Sequence, residues 1–318
     1  MIASRTSAGV EGRLLPLENE AAALVARLPG LVGDARRIAQ TISHGVHGRR
    51  RAGPGETFWQ FRQLQSGDTR TQIDWRRSAG SDRLYVRERE WEAAHTVWLW
   101  IDLSASMVFR SHLGPLEKRD RALVLGFAAA ELLVEAGERV GVIGLMPPTG
   151  RRRPSTVIAE RLVEARAFGP DAPSLPPEAR LSRFSECVIL SDLLDPVEEM
   201  APRFEAFAAA GVRGHLVQVL DPAEETLPYE GRTEFLGLED GERILANRVE
   251  SLREAYQSRL IAHRASIADL ARRLEWSFLV HRTDRSAAET LLQLHARLSG
   301  ELGGYRAPGS MPSGGEGR

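Results

Sequence analysis

After residue 95 the chain alternates apolar runs of strand length with longer apolar segments of helical period. No other feature of the sequence restricts its fold as strongly. "TVWLWIDLS", "RVGVIGLM", "SECVILSDLLD", "RGHLVQVLD" and "WSFLVHRTD" lack the polar alternation of a half-exposed strand, so they read as strands covered on both faces. Between them, "KRDRALVLGFAAAELLVEAG" stops at Gly137, and "PVEEMAPRFEAFAAAG" opens on a proline and closes on a glycine, as helices do. "SAAETLLQLHARLSG" reads as a final helix. Strands in turn with helices specify a mostly parallel sheet with helices on both sides, a doubly wound α/β fold. The rhythm breaks once, at "TEFLGLEDGERILA", where Asp240-Gly241 between short apolar runs predicts a β-hairpin insertion. A long helix follows over 247–276, with a capping box expected from Asn247 and Glu250. Its core face is read as Val249, Leu252, Tyr256, Leu260, Ile267, Leu270 and Leu274.

The first 95 residues are patterned differently. "ENEAAALVARLPG" predicts a helix closed by Pro29 and Gly30, and "GDARRIAQTIS" a second one, giving an N-terminal helical segment over 1–43. A glycine-rich basic loop over 44–55 opens a segment that runs to residue 95 and mixes aromatics, arginines and acids. In it "RLYVREREW" alternates as a strand, with Leu84 and Val86 on one face. The α/β domain is assigned to 96–300, and the Gly-, Pro- and Ser-rich stretch 301–318 reads as a disordered tail.

Composition bounds the function. Apolar residues make up 42% and charged residues 27%, enough for a full core. A net charge of −1 gives no general attraction for nucleic acid or anionic lipid, although "HGRRRAG" and "TGRRRPS" are local basic clusters. The lone Cys187, within "CVILSD", excludes an internal disulfide and reads as a small core residue in a reducing compartment. No apolar stretch nears the ~20 residues of a spanning helix, and no signal peptide is visible, so a cytoplasmic location is expected.

Several strands end on acids: Asp102, Asp192, Asp221 and Asp284. In doubly wound sheets ligands bind beyond the carboxyl ends of the strands, where strand order reverses. Asp102, Ser104 and Ser106, two apart in "DLSAS", offer a carboxylate and two hydroxyls with no thiol or imidazole. Hard oxygen donors of that kind suit Mg²⁺ or Mn²⁺, with Asp192 adding a carboxylate from a second strand end and a coordination position open to an acidic partner side chain. A plainer reading has Asp102 capping the turn and the serines satisfying loop backbone.

"DLSASM" at a strand end, followed by an apolar helix and later by "ILSD", resembles a von Willebrand factor A domain, a Rossmann-like fold. The resemblance implies a metal-ion-dependent adhesion site in which Asp102, Ser104 and Ser106 match the first motif and Asp192 the third. It also implies strand order 3-2-1-4-5-6, which sets Asp102 beside Asp192. The threonine that the family takes from an intervening loop is missing from "PDAPSLPPEARLS"; Ser174 is a weak substitute, and Thr149 lies on another connection. The preceding segment is similar to the bacterial domain-of-unknown-function family fifty-eight, through Gly67-Asp68, Arg70, Ile73-Asp74-Trp75, Ser78-Ala79 and Leu84 to Glu88. That resemblance implies a partner of MoxR-type AAA+ ATPases that acts on a client protein in assembly, metal insertion or stress responses. On the residues alone, Asp68 and Asp74 among Arg70, Arg76 and Arg77 read as a buried ion-pair network packed by Trp59, Phe61 and Trp75.

Enzyme classes find little purchase. Position 104 is serine where a haloacid dehalogenase needs a second aspartate, no G-x-S-x-G elbow surrounds either serine, and no phosphate loop is present. His44 and His47 lie in a glycine-rich loop without a cysteine pair to complete a zinc site. The expectation is a non-enzymatic interaction protein. The alternative is a nucleic-acid binder using loop 44–55 with Trp59 or Phe61 stacking on bases, and a metal-dependent hydrolase ranks below both.

Overall fold

The computed structural model describes residues 26–43, 58–63, 75–80, 83–89, 95–168, 172–238 and 243–298. In chain order these form α1 (26–43), β1 (Phe58–Gln63), α2 (Trp75–Ser78), β2 (Tyr85–Arg89), β3 (Thr96–Ile101), a 3₁₀ turn (Ala105–Val108), α3 (Lys118–Glu135), β4 (Arg139–Val142), β5 (Met146–Thr149) and α4 (Pro154–Glu164). There follow β6 (Glu186–Ser191), α5 (Val197–Ala209), β7 (Arg213–Leu220), α6 (Pro222–Thr226), β8 (Thr233–Leu236), β9 (Arg243–Ala246), a 3₁₀ turn (Val249–Ser251), α7 (Arg253–Arg273), β10 (Ser277–Arg282) and α8 (Ala287–Leu298). The chain divides into two units: residues 44–95, and residues 1–43 together with 96–318.

The larger unit is an α/β structure around six strands in the order β10-β7-β6-β3-β4-β5. All neighbours are parallel except β4 and β5. Numbered by appearance in this sheet, the order is 6-5-4-1-2-3, so the direction of winding reverses between β3 and β6. Period-two alternation divides the apolar strands between two cores. Val97, Leu99, Ile101, Val188, Leu190, Val217 and Val219 face α1, α3, α4 and α8, whereas Trp100, Cys187, Ile189 and Leu216 face α5 and α7. Helix α3 packs closely on β3 and β6: a Cβ on Gly126 would stand 2.6 Å from Ile101 Cδ1 and 3.2 Å from Leu190 Cδ1, so a larger residue there would make these side chains shift.

Four local expectations are corrected. Residues 26–43 form one continuous helix through Pro29 and Gly30. Leu28, Leu31, Val32, Ala35, Ala39 and Ile42 recur at helical spacing and are buried in the main core, and Arg27 and Arg36 pair with Asp120 and Glu131; this packing outweighs the breakers. "RVGVIGLM" is not one strand. The chain reverses at Gly144 (φ 74°), and β5 returns antiparallel as an edge where Pro147 and Pro148 have no inner ladder to disturb. The Asn247–Glu250 capping box does not form, because Glu250 Oε2 accepts from the Gly231 amide at 2.9 Å and α7 begins only at Arg253. Leu252 is therefore exposed, although Val249, Leu260, Ile267 and Leu270 are buried as expected.

The hairpin insertion pairs Thr233 with Ala246 and Leu236 with Arg243; its Asp240-Gly241 turn lies outside the described residues. In the smaller unit β1 and β2 pair antiparallel, and Trp75, expected to pack an ion-pair network, is 62% exposed. Asp68, Arg70 and Asp74 lie outside the described residues, as do loop 44–55 with His44 and His47, and the tail 301–318.

Candidate docking site at the strand ends

Beyond β3 the ladder continues for one more bond, from the Asp102 amide to the Leu190 carbonyl at 2.8 Å, and the chain then turns into the 3₁₀ segment. That last rung holds the Asp102 side chain at the reversal, fully buried. Its Oδ1 accepts from the Ser104 amide at 2.9 Å and its Oδ2 from Ser191 Oγ, on the neighbouring strand, at 2.7 Å. Ser104 Oγ and Ser106 Oγ stand 3.2 Å apart, and Ser106 helps to lower the pKa of the nearby Asp192. The strand ends thus bring Asp102, Ser104, Ser106 and Asp192 together. Ser174 instead lies near Asp195, three residues beyond Asp192, and Thr149 pairs with Val140 at the opposite end of the sheet.

The residue that sequence reasoning missed is Lys118, the first residue of α3. Its side chain is 1% exposed, and its Nζ lies 2.9 Å from Asp192 Oδ2 and 2.6 Å from Glu224 Oε1. Glu224 is held in turn, its other oxygen accepting from the Asp221 amide at 2.8 Å. Asp192 also accepts from the Leu194 amide at 3.2 Å, and the Gln218 amide donates to the Asp192 carbonyl at 2.8 Å. One signal for Lys118 was legible: it is the only lysine in the chain, and the other cationic side chains among the 42 Lys and Arg residues are all arginine.

Burial opposes every charge in this cluster, and the neighbours decide each outcome. For Asp102, burial and then the charge of Asp192 outweigh the bonds from Ser104 and Ser191, and its pKa rises to about 7. For Asp192, burial is again the largest influence, but the charge and hydrogen bond of Lys118, with help from Ser106, hold the carboxyl below its ordinary value. Glu224 is raised by burial against the pull of Lys118. Lys118 itself is desolvated, yet Asp192 and Glu224 together push its pKa up.

A carboxyl whose pKa is higher folded than unfolded holds its proton longer in the native state. Asp102 therefore favours folding at acid pH, and that contribution is lost as pH rises toward 7. Asp102→Asn, whose amide can donate to a rotated Ser191 hydroxyl, is expected to match the wild type near pH 4 and to exceed its stability by about 4 kcal/mol near pH 8. Urea unfolding across that range measures it. A constant difference between the two proteins would show that the Asp102 carboxyl does not titrate there.

The divalent ion that the adhesion-site resemblance implies is a poor match for this donor set. The serine pair is suitably hard and convergent, but both oxygens of Asp102 accept bonds from the protein, and Asp192 is engaged by Lys118 and the Leu194 amide. Ser174, the nearest substitute for the missing threonine, lies by Asp195 and bonds to none of Asp102, Ser104, Ser106 and Asp192. Among the described residues, no group of three or more Asp, Glu, His or Cys is arranged to hold a metal.

The fold and site together define a class: a doubly wound α/β protein with a buried hydroxyl, carboxylate and ammonium cluster where the strand order reverses. The chain belongs to the DUF58 family of proteins of unknown function, whose model matches residues 60–266. It is similar to uncharacterized proteins of Mycobacterium bovis and Mycobacterium tuberculosis, 28% identical over 305 residues that cover 89% of this chain and 92% of those proteins. Among solved structures it is similar to BatB from Bacteroides thetaiotaomicron, at 15% identity and a TM-score of 0.40 over 65% of this chain and 99% of that one. A second is an aerotolerance-related membrane protein from Bacteroides fragilis, at 17% identity and a TM-score of 0.37 over 63% and 98%. Likenesses this distant carry no argument about function. No helix among the described residues is long and apolar enough to cross a membrane.

Proposed function

We propose that this chain is a non-enzymatic interaction protein built on a von Willebrand A-like sheet, and that its docking site is the strand-end cluster centred on Asp102, Ser104, Ser106 and Asp192. The observation that carries the reading is the wiring of the serines. The two hydroxyls bond to one another, and Asp102 ties the turn down by accepting from the Ser104 amide and the Ser191 hydroxyl, the arrangement of a polar lock that sets the shape of a turn and not that of a nucleophile beside an imidazole base. The strand order around Asp102 and Asp192, with β5 antiparallel at the edge, supports the same reading. Support also comes from the hairpin that follows β7 and α6, where Leu236, Ile244 and Leu245 are each more than half exposed.

The partner class rests on the family resemblance: a MoxR-type AAA+ ATPase, with which the chain acts on a client protein in the cytoplasm. The test uses the full chain as bait in native cell extract, in Mg²⁺ and in EDTA, with bound proteins identified by mass spectrometry. The wild type is expected to retain a MoxR-type ATPase under both conditions. Asp102→Ala, which releases the 103–107 turn while leaving the core intact, is expected to retain at least about tenfold less, corresponding to ~1.4 kcal/mol of binding. Equal retention by a folded Asp102→Ala protein would sink the docking site.

A further inference from the structure

We propose that the ammonium of Lys118 is the permanent cation of the strand-end site, occupying the role that a divalent ion would otherwise fill, so that the site is assembled without metal. Three observations on Lys118 carry this. Its Nζ bridges Asp192, at the end of β6, and Glu224, in the first turn of α6, at 2.9 and 2.6 Å with its side chain 1% exposed; the bridge therefore lies inside the protein and is not a surface ion pair. Its place in the sequence has no local reason. A cation on the first residue of an 18-residue helix opposes the helix dipole, which favours acids there. And it is the only lysine in a chain that uses arginine everywhere else.

The chemistry explains why this one position is not arginine. An ammonium is a compact point charge with three donors that takes its geometry from surrounding oxygens, as a small metal ion does, whereas a guanidinium is a planar fork. Two of the three donors meet the carboxylates, and Phe109 lies on another side with its ring centroid 6.0 Å from Nζ. With its counter-charge tethered to α3, Asp192 is neutralised as soon as the chain folds. The proposal builds on the docking-site reading for its function, but its physical content concerns metal alone and is tested without any partner.

Because the chain has a single lysine, selective ¹³C labelling of lysine yields one side-chain signal that reports directly on the site. Titration of the wild type with Mg²⁺ to millimolar concentration is expected to leave the Lys118 ¹³Cε resonance in place, and Mn²⁺ at the same concentration is expected to leave its linewidth unchanged. A saturable Mg²⁺-dependent shift of that resonance, abolished by Asp192→Asn, would overturn the proposal by showing that a metal displaces the ammonium. The second arm is Lys118→Met, with Lys118→Met/Glu224→Gln carrying the same measurement if the single variant does not accumulate. Vacating the cation position is expected to create a response that the wild type lacks, a rise of several degrees in Tm with millimolar Mg²⁺ or Mn²⁺. No metal response in the vacated variant would equally overturn the equivalence of ammonium and ion. Failure of the pull-down would leave both measurements untouched, so the two readings fail separately.

Discussion

Lys118→Met is expected to lose about 3–5 kcal/mol of stability at neutral pH, the cost of removing one partner from a buried ion pair. Methionine preserves the unbranched shape and much of the volume, so the loss is electrostatic and not a cavity effect. Asp192 and Glu224 would remain in the interior with their hydrogen bonds to Leu194 and Asp221 but without a counter-charge. The sign with pH follows from Asp192. Lys118 holds its carboxyl below the ordinary value, so the pair contributes stability above the unfolded pKa and loses it as pH falls. The deficit of the variant should therefore shrink in acid, as its two stranded carboxyls take up protons. Urea unfolding followed by tryptophan fluorescence measures it as a shifted midpoint at unchanged slope. A loss below about 1 kcal/mol at neutral pH would mean that the pair is no more than a surface-grade contact.

The second large effect lies away from the site, in the sheet that supports it. Gly214→Ala in β7 would place a methyl 2.0 to 2.4 Å from three atoms of the Trp276 indole. The ring has no simple retreat: it is 7% exposed, lies beside Phe204 with centroids 5.7 Å apart, and donates its N–H to the Val212 carbonyl at 3.2 Å. Overpacking at so constrained a position is expected to cost about 3 kcal/mol, which in a domain of this size lowers Tm by about 6–12 °C. Pairing it with Trp276→Leu, which clears the space, should recover part of the loss, so the double-mutant cycle would show a favourable coupling. Additive losses would place the strain elsewhere in β7.

These two positions mark the border between what was legible in the chain and what was not. Gly214 belongs to "RGHLVQVLD", correctly read as a buried strand, yet nothing local says that an indole 62 residues later will lie on it. The strands after residue 95, the main helices between them and the hairpin at 233–246 follow from hydrophobic period and turn chemistry, which are properties of neighbouring residues. Where a boundary was misplaced, long-range packing had overridden local preference. Burial of Leu28, Leu31 and Ala35 carries α1 through Pro29 and Gly30, and the amide of Gly231 captures the Glu250 carboxylate that was expected to cap α7.

The candidate site divides along the same line. By itself the sequence determined its hydroxyls and acids, because Asp102, Ser104 and Ser106 are neighbours and a buried strand must expose its end somewhere. Only the tertiary structure decided that Asp192, 90 residues away, stands beside them across the reversal of strand order, and that Lys118 and Glu224 complete the cluster. The physical reason is that a charge can be buried only where its partners converge. Convergence of residues from four separate segments is a property of how the sheet is wound, which no local spacing encodes.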